Sequence, residues 1–563
     1  MDIRSRIVKF IIGAAILTAL IFAGAHIPAM TQPSVELSHP SGFYDEGFEL
    51  SIKGKNGRVY YTLDGSRPGL DSIPYEGPVR ISDASENENV YCLRTDVTVS
   101  FMDREIHERE AGSPEDYRVP TEKIDKCTVV RAVCIDSLGG RSKEACASYF
   151  VGFDKKSGYD GIMTLSITTD PENLFDYDRG IYVTGRTTDE YLRSGKRVAN
   201  DDFWWWWPAN YRQKGSEWER EARVQIFDAG KKLIADRGIG IRVQGGGSRG
   251  YIPRSLSLSA SDKYGEGETF GIDLFDMGYE PRSVVLFSGG DSRVTKLEDY
   301  LPSELSEGLD ISTAKMKPAV MFLDGEFWGV YFLMEKFDED YFEAHYNVEG
   351  SEVVMIKEGE LSLGRDTDLD GYRRDMAALK SCDAGSEAGL AAIEKIIDLD
   401  SYMDYYALQL FIDRRNDWPY MNVALWKVRR GDKSGNPYAD GRWRWILFDD
   451  NSGAYGVKNV SSNSIENTRI ADPAFDNLMK SEKLSEMLKN RMLYIGENNF
   501  EKNRVLSFIA DYREKMAPVF HNEYTRFYGD KWDYDHAFDV RLGRFEKFFD
   551  RRYDFLSDFL KTP

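Results

Sequence analysis

The sequence predicts a multidomain protein: an N-terminal all-β sandwich, then a larger α+β region that ends in a helical tail. Three observations predict it. At 563 residues the chain is too long for a single compact core. Residues 33–151 break into short alternating segments separated by turns, the pattern of half-buried strands. From about residue 160 strands mix with helix-period segments, and apolar residues recur at helical spacing from about 473 to 560.

The N-terminus comes first. Arg4, Arg6 and Lys9 precede the apolar run FIIGAAILTALIFAGA at 10–25. A basic flank and an apolar stretch of this kind make residues 1–30 a secretory signal or a membrane anchor. The run is short for a spanning helix, which needs roughly 20 residues, and Ala23-Gly24-Ala25 would serve as a cleavage site. A buried core helix is the bland alternative, but nothing upstream could pack over it. The remainder is therefore expected to be extracytoplasmic, secreted or anchored through that helix. In such a setting Cys92, Cys127, Cys134 and Cys146 permit three disulfide pairings, with Cys382 far away, while reduced buried thiols remain equally open. No C-x-x-C pair supports zinc, and six His disfavour a His-rich metal site. A formal charge of −21 argues against a nucleic-acid partner, which needs clustered Lys and Arg.

Within 33–151, VELSHPSGFYDEGFELSIKG alternates around turns, RVYYTLDGSRP is a strand closing on an Asp-Gly turn, and TVVRAVCIDSLGGRSKEACASYFV reads as a hairpin. Short strands at this spacing suggest an immunoglobulin-like sandwich. GFYDEGFELSI, YYTLDGSRP, YEGPVRIS and the hairpin resemble the small C-terminal sandwich of chitobiase and β-hexosaminidase enzymes. The resemblance implies an accessory module in a surface or glycan context rather than a catalytic one.

Beyond it, GIMTLSITTD is a strand, and EARVQIFDAGKKLIADRGIGIRVQGGG is a strand, a turn and a second strand. Between them lies DFWWWWPANYRQKGSEWERE. Four consecutive Trp cannot share one face of a regular element, so Trp204 to Trp207 read as a loop packing partly on the domain; glycan or partner stacking is the competing reading. Helices are predicted at 294–308, 337–346, 371–381 and 398–413.

Three segments carry chemistry. In GGGSRGYIPRSLSLSAS, 245–261, the amides of Gly246 and Gly247 could close over phosphates, and Arg254 stands beyond them as a fixed cation. The same stretch spells G-x-S-x-G, but the strand-like SLSLS that follows denies it the helix a nucleophile elbow requires. Next, VTKLEDYLPSELSEGLD is a helix carrying Glu298 and Glu304, and AVMFLDGEFWGVYFLMEKFD is a hairpin ending at Glu335-Lys336. Finally, the helix SYMDYYALQLFID leads into Asp417 and Asn422, and a strand pair ends at Asp449-Asp450. A protein kinase places its base and a metal-binding amide in an Asp-x-x-x-x-Asn loop, with a magnesium-chelating Asp after a later strand. Any one of these Asp residues is more often a turn former or cap; the order of all three is the signal.

Asn416-Asp417-Trp418-Pro419 with Asn422, WILFDDNSGAYG, LDGEFWGVYFLMEKFD and the glycine loop resemble the spore-coat CotH kinase family over residues 160–480, leaving 481–563 as a helical extension packed on that domain. The resemblance implies an atypical protein-kinase-like fold that uses ATP and Mg2+ or Mn2+ to phosphorylate Ser, or another hydroxyl, on an extracytoplasmic protein. It makes Asp417 catalytic, gives metal binding to Asn422, Asp449 and Asp450, and nucleotide contact to Arg254, Gly246, Gly247 and Glu335. One departure is Arg254, where many members carry Lys; a guanidinium can hold phosphate by a fork, with different geometry. The alternative is a catalytically inactive kinase-fold surface protein in adhesion or glycan binding, with a cell-wall or extracellular glycan as partner. A glycoside-processing enzyme finds no carboxylate pair in support. Asp366-x-Asp368-x-Asp370-Gly371 starts like a Ca2+ loop but has Ala377 where a bidentate Glu belongs, so an acidic surface loop competes with calcium.

Overall fold

A computed structural model describes residues 32–102, 106, 108, 117–197, 203–290, 292–415, 418–431, 435–450, 460–529 and 533–561. The apolar run at 10–25 lies outside them. Among the described residues no helix is long and apolar enough to cross a membrane. The chain divides into two compact units, the first drawing on residues 32–40, 48–81 and 129–147, the second on 41–47, 82–128 and 148–563. Residues 82–128, inside the stretch read as a sandwich, thus belong to the second unit.

The first unit is all-β. Strand β1 (Ser34–Leu37) pairs antiparallel with β4 (Ile52–Lys55), and β3 (Phe48–Leu50) with β7 (Val79–Ile81). Strand β5 (Arg58–Thr62) lies between β6 (Ile73–Pro74) and β8 (Thr128–Ile135). Leu50, Ile52, Val59, Ile81, Val130 and Ala132 are buried and form the apolar core of these strands, while Lys53, Gly54, Lys55 and Arg58 are exposed. The five cysteines form no disulfide.

In the second unit β2 (Gly42–Tyr44) runs parallel to β9 (Ala145–Val151) through Gly42 and Tyr149. Its centre is a closed barrel, whose strands the sequence alone shows only as separate hairpins. The order is β10 (Met163–Thr168), β11 (Arg220–Phe227), β12 (Leu233–Val243), β13 (Leu256–Ser259), β14 (Ser283–Phe287), β16 (Glu326–Glu335) and β15 (Met316–Leu323). Parallel pairing of β10 with β15 closes it. Leu165, Val224, Ile239, Leu258, Leu286, Val320 and Phe332 are fully buried, so the barrel is a packed core rather than a channel. The excursion from β10 to β11 carries α1 (Pro171–Phe175), α2 (Gly185–Arg193) and the tryptophan run.

Helix α3 (Leu297–Leu305) separates β14 from β15, and α4 (Glu339–Tyr346) leads out of the barrel. An antiparallel sheet follows, in the order β18 (Glu360–Leu363), β17 (Val353–Lys357), β19 (Ala424–Val428), β20 (Arg444–Ile446). Its connections hold α5 (Asp366–Ser381), α6 (Glu387–Ile396), which the sequence reading missed, and α7 (Leu399–Phe411). Asp398 caps α7 by accepting from the Ser401 amide, and every residue from Ser401 to Phe411 is buried, as expected of a helix apolar on nearly all sides. The tail comprises α8 (Ile465–Ala471), α9 (Pro473–Leu478), α10 (Glu482–Tyr494), α11 (Lys502–Tyr528) and α12 (Tyr534–Lys561).

The calcium reading at Asp366, Asp368 and Asp370 is corrected. These residues open helix α5, where successive side chains turn by about 100° and cannot wrap a cation as an extended loop does. Asp368 instead accepts from the Arg365 amide at 2.8 Å and pairs with Arg429 at 3.0 Å.

Candidate active site

The register of the second sheet builds a corner. Ala424, the first residue of β19, pairs with Ile446, the last of β20. Asn422, just before one strand, and Asp449, just after the other, therefore emerge at the same end of the pair. Both take left-handed backbone, φ 54° and 55°, a conformation that Asn and Asp tolerate better than other side-chain-bearing residues. Asp449 is exposed, whereas Asp450 is 2 % exposed.

Asp450 is spent on structure. Its carboxylate pairs with the fully buried Arg414 and accepts from Gln409 Nε2 at 2.9 Å. Arg414 also donates to the Asp449 carbonyl, so one guanidinium at the end of α7 fixes the backbone that presents Asp449. Trp418 is buried and donates through Nε1 to the Tyr405 hydroxyl at 3.0 Å, anchoring the turn to α7; its bond to Pro419 is cis. Asp417 lies outside the described residues, bracketed by the placed Arg415 and Trp418.

A residue that no sequence motif marks belongs here. Asp299 on α3 accepts from the Asp450 amide at 2.6 Å through Oδ1, while Oδ2 is closed off from solvent without a hydrogen-bond partner. Burial, then the charges of Asp449 and Asp450, hold its carboxyl well above the usual carboxylate range. Its neighbour Glu298 points elsewhere: it receives both Arg541 on α12, at 2.8 Å, and the Thr295 hydroxyl at 3.0 Å. No local pattern distinguishes the two acids.

The glycine loop differs from the expectation. Residues 247–250 form one 3₁₀ turn between β12 and β13, and the tryptophan run packs on it. A Cβ on Gly247 would stand 3.2 Å from the Trp206 ring, and one on Gly250 would collide with the Trp205 backbone. Gly246 also faces the Trp206 ring, at 3.9 Å from where its Cβ would be. The glycines make room for indoles. Trp204 and Trp207 are buried with Val99, Ile106 and Tyr251, Trp206 is about half exposed, and the Arg212 guanidinium lies 4.4 Å from its ring centroid.

Arg254 is no surface cation. It is fully buried just before β13, donating from Nε to the Arg249 carbonyl at 2.5 Å and from Nη2 to the Val97 carbonyl at 2.6 Å. Its guanidinium also packs on Tyr211, 3.8 Å from the centroid, and on Tyr182. Those commitments tie the loop to residues 97 and 182. Glu335 is likewise fully buried: it accepts from the Tyr279 hydroxyl at 2.8 Å and the Lys315 amide at 2.9 Å, and contacts His345 Nε2 at 2.9 Å. Both residues stand inside the frame, away from the Asp449 corner's set of contacts.

Beside the corner a cavity of about 240 Å³ is lined by Arg414, Arg415, Trp418, Tyr420, Thr468 and Ile470, among others. Among the described residues no three His, Cys, Asp or Glu side chains enclose a metal by themselves. Magnesium does not require such a cage, since it keeps few protein ligands and shares phosphate oxygens and water. The exposed Asp449, the Asn422 amide and the orphaned Asp299 Oδ2 are hard oxygen donors that fit it.

A barrel, a helical lobe, and an Asp-and-Asn corner fed by a buried helix define a protein-kinase-like domain. The chain belongs to the CotH kinase family: the family model described as CotH kinase protein matches residues 241–556, more than half of the chain. The model described as Fn3 associated matches residues 48–149, in keeping with a β-sandwich there. No curated protein matches the chain significantly. The CotH match begins within β12, so the strands β10 and β11 that the barrel needs precede it.

Proposed function

We propose that this protein is an extracytoplasmic phosphotransferase that moves the ATP γ-phosphoryl group to Ser, or another hydroxyl, of a protein substrate. The observation that carries the reading is the exposed Asp449, held at the same sheet end as Asn422 by the Arg414–Asp450 pair. A divalent cation, when bound, neutralises charge on the nucleotide phosphates. Asn422 and Asp449 would hold it, and Asp417 would orient or accept the proton of the acceptor hydroxyl. The cavity between Arg415, Trp418 and Ile470 adjoins that loop and is the acceptor side of the site. Export rests on the basic-apolar N-terminus, which would anchor the protein in a membrane if uncleaved.

One observation favours a second reading. Arg254, at the position where many family members carry Lys, is consumed by backbone carbonyls and two tyrosines, which removes a phosphate-binding cation. A kinase fold retained for adhesion or glycan binding would tolerate that loss. Calorimetric titration of Mg·ATP into the protein and into Asp449→Ala separates the two. Metal-dependent binding that vanishes in the variant supports phosphotransfer; absence of binding by the folded parent, with Mg2+ or Mn2+, overturns it.

A further inference from the structure

Asp299 has no role in the motif that identified the site, yet its placement is costly. It sits on α3, reaches a strand end 151 residues later, and holds the Asp450 amide with one oxygen. The other oxygen is buried and accepts nothing, although leaving a buried polar atom unsatisfied is ordinarily unfavourable. Asp449 and Asp450 stand beside it as two further carboxylates, and Arg414 pairs with Asp450. A frame that needed only to position Asp450 would be served by a neutral acceptor such as Asn. A carboxyl with one oxygen closed off and unused beside Asp449 and Asp450 offers a hard donor that a bound cation would take.

We propose that Asp299 is a further cation-binding residue of this site: a divalent metal held by Asp449 also takes Asp299 Oδ2, so that α3 and the β20 end are joined through it. This rests on the reading of the corner as a metal site. It makes metal binding a brace between the barrel side of the unit and the helical lobe, because α3 links β14 to β15.

The test measures Mn2+ binding to the full chain by electron paramagnetic resonance, with and without a non-hydrolysable ATP analogue, and melting temperature with and without Mn2+. The variant is Asp299→Asn, whose carbonyl can still accept from the Asp450 amide. The expected result has three parts: the metal-free variant melts no lower than the parent, Mn2+ affinity falls about tenfold or more, and the Mn2+-induced rise in melting temperature disappears. Unchanged Mn2+ affinity in the variant overturns the inference. A variant that fails to fold, or melts well below the parent without metal, also overturns it, by showing a structural carboxylate. Parent protein that binds Mn2+ but never the nucleotide refutes the phosphotransferase reading alone; if Asp299→Asn still abolishes the metal, this inference stands. Parent protein that binds no Mn2+ under either condition refutes both.

Discussion

Arg552, on the last helix, closes the C-terminal end of α7 by donating from Nε to the Phe411 carbonyl at 2.6 Å. The same guanidinium donates to the carbonyls of Leu410 at 2.9 Å, Val460 at 2.8 Å and Ser462 at 2.7 Å. A cation belongs at this end of a helix dipole, where unpaired carbonyls collect. Burial pushes the Arg552 guanidinium down to about 10, still far above neutral pH, so it remains charged.

Arg552→Met is therefore expected to lower stability by about 3–5 kcal/mol, since several buried carbonyls lose their donor together. Urea unfolding followed by circular dichroism checks it. Arg552→Lys should recover only part of the loss, because an ammonium lacks the planar fork. A loss below about 1 kcal/mol for the Met variant would mean that water replaces the guanidinium.

Adjacent acids at the corner are expected to behave oppositely. Asp449 is exposed and left-handed, so Asp449→Gly should change stability by no more than about 1 kcal/mol while removing metal-dependent nucleotide binding. Asp450→Ala strands a buried Arg414 and should cost about 3–5 kcal/mol. Thermal melts paired with calorimetry distinguish them; equal destabilisation would contradict the division of roles.

Asp338 offers a pH readout. It caps α4 by accepting from the Tyr341 amide at 3.3 Å, and burial pushes its carboxyl up to about 6, opposed by Lys336 and by that amide. Since the folded value exceeds the unfolded one, this group's contribution is greatest below about pH 4 and is lost as pH rises through 6. Asn keeps the cap without the charge. Asp338→Asn should match the parent near pH 4 and exceed it by about 1–2 kcal/mol above about pH 7. A pH-independent difference would place the acid elsewhere.

At the glycine turn, Gly250→Ala forces a Cβ into the Trp205 backbone and should cost about 1–3 kcal/mol. Tryptophan emission should shift to longer wavelength as the run lifts away. Unaltered emission and stability would mean that the tryptophans do not pack there.

Much of the corner could be read from sequence because it is built locally. Helix α7, strand β19 just after Asn422 and strand β20 just before Asp449 keep their order along the chain, and periodicity places each. Asp299 could not be read that way. Its partner Asp450 lies 151 residues on, and Glu298 beside it looks equally suitable until α12 contributes Arg541. Arg254 shows the converse: a cation was visible, but its destination was set by the Val97 carbonyl, 157 residues earlier. The Asp366 triplet misled for a local reason. Alternating acids suit both a cation loop and the first turn of a helix, where the dipole favours them, and the Asp368 contact with the Arg365 amide selects the helix. Barrel closure was illegible because a parallel pair, β10 with β15, leaves no turn between its strands.

The buried pair of Lys296 and Glu523, at 2.7 Å, joins the residue preceding α3 to α11, much as Arg541 and Arg552 reach back from α12. Each link runs from an early element to one synthesised far later. On the ribosome, then, the corner has all its motif residues long before it has their supports. Lys296 emerges without its counter-charge and α7 without its cap, so the nascent corner is complete in sequence while still unformed in space. The corner would gain its supports only when α12 arrives, and a premature stop in the tail would leave it unbraced with every motif residue intact.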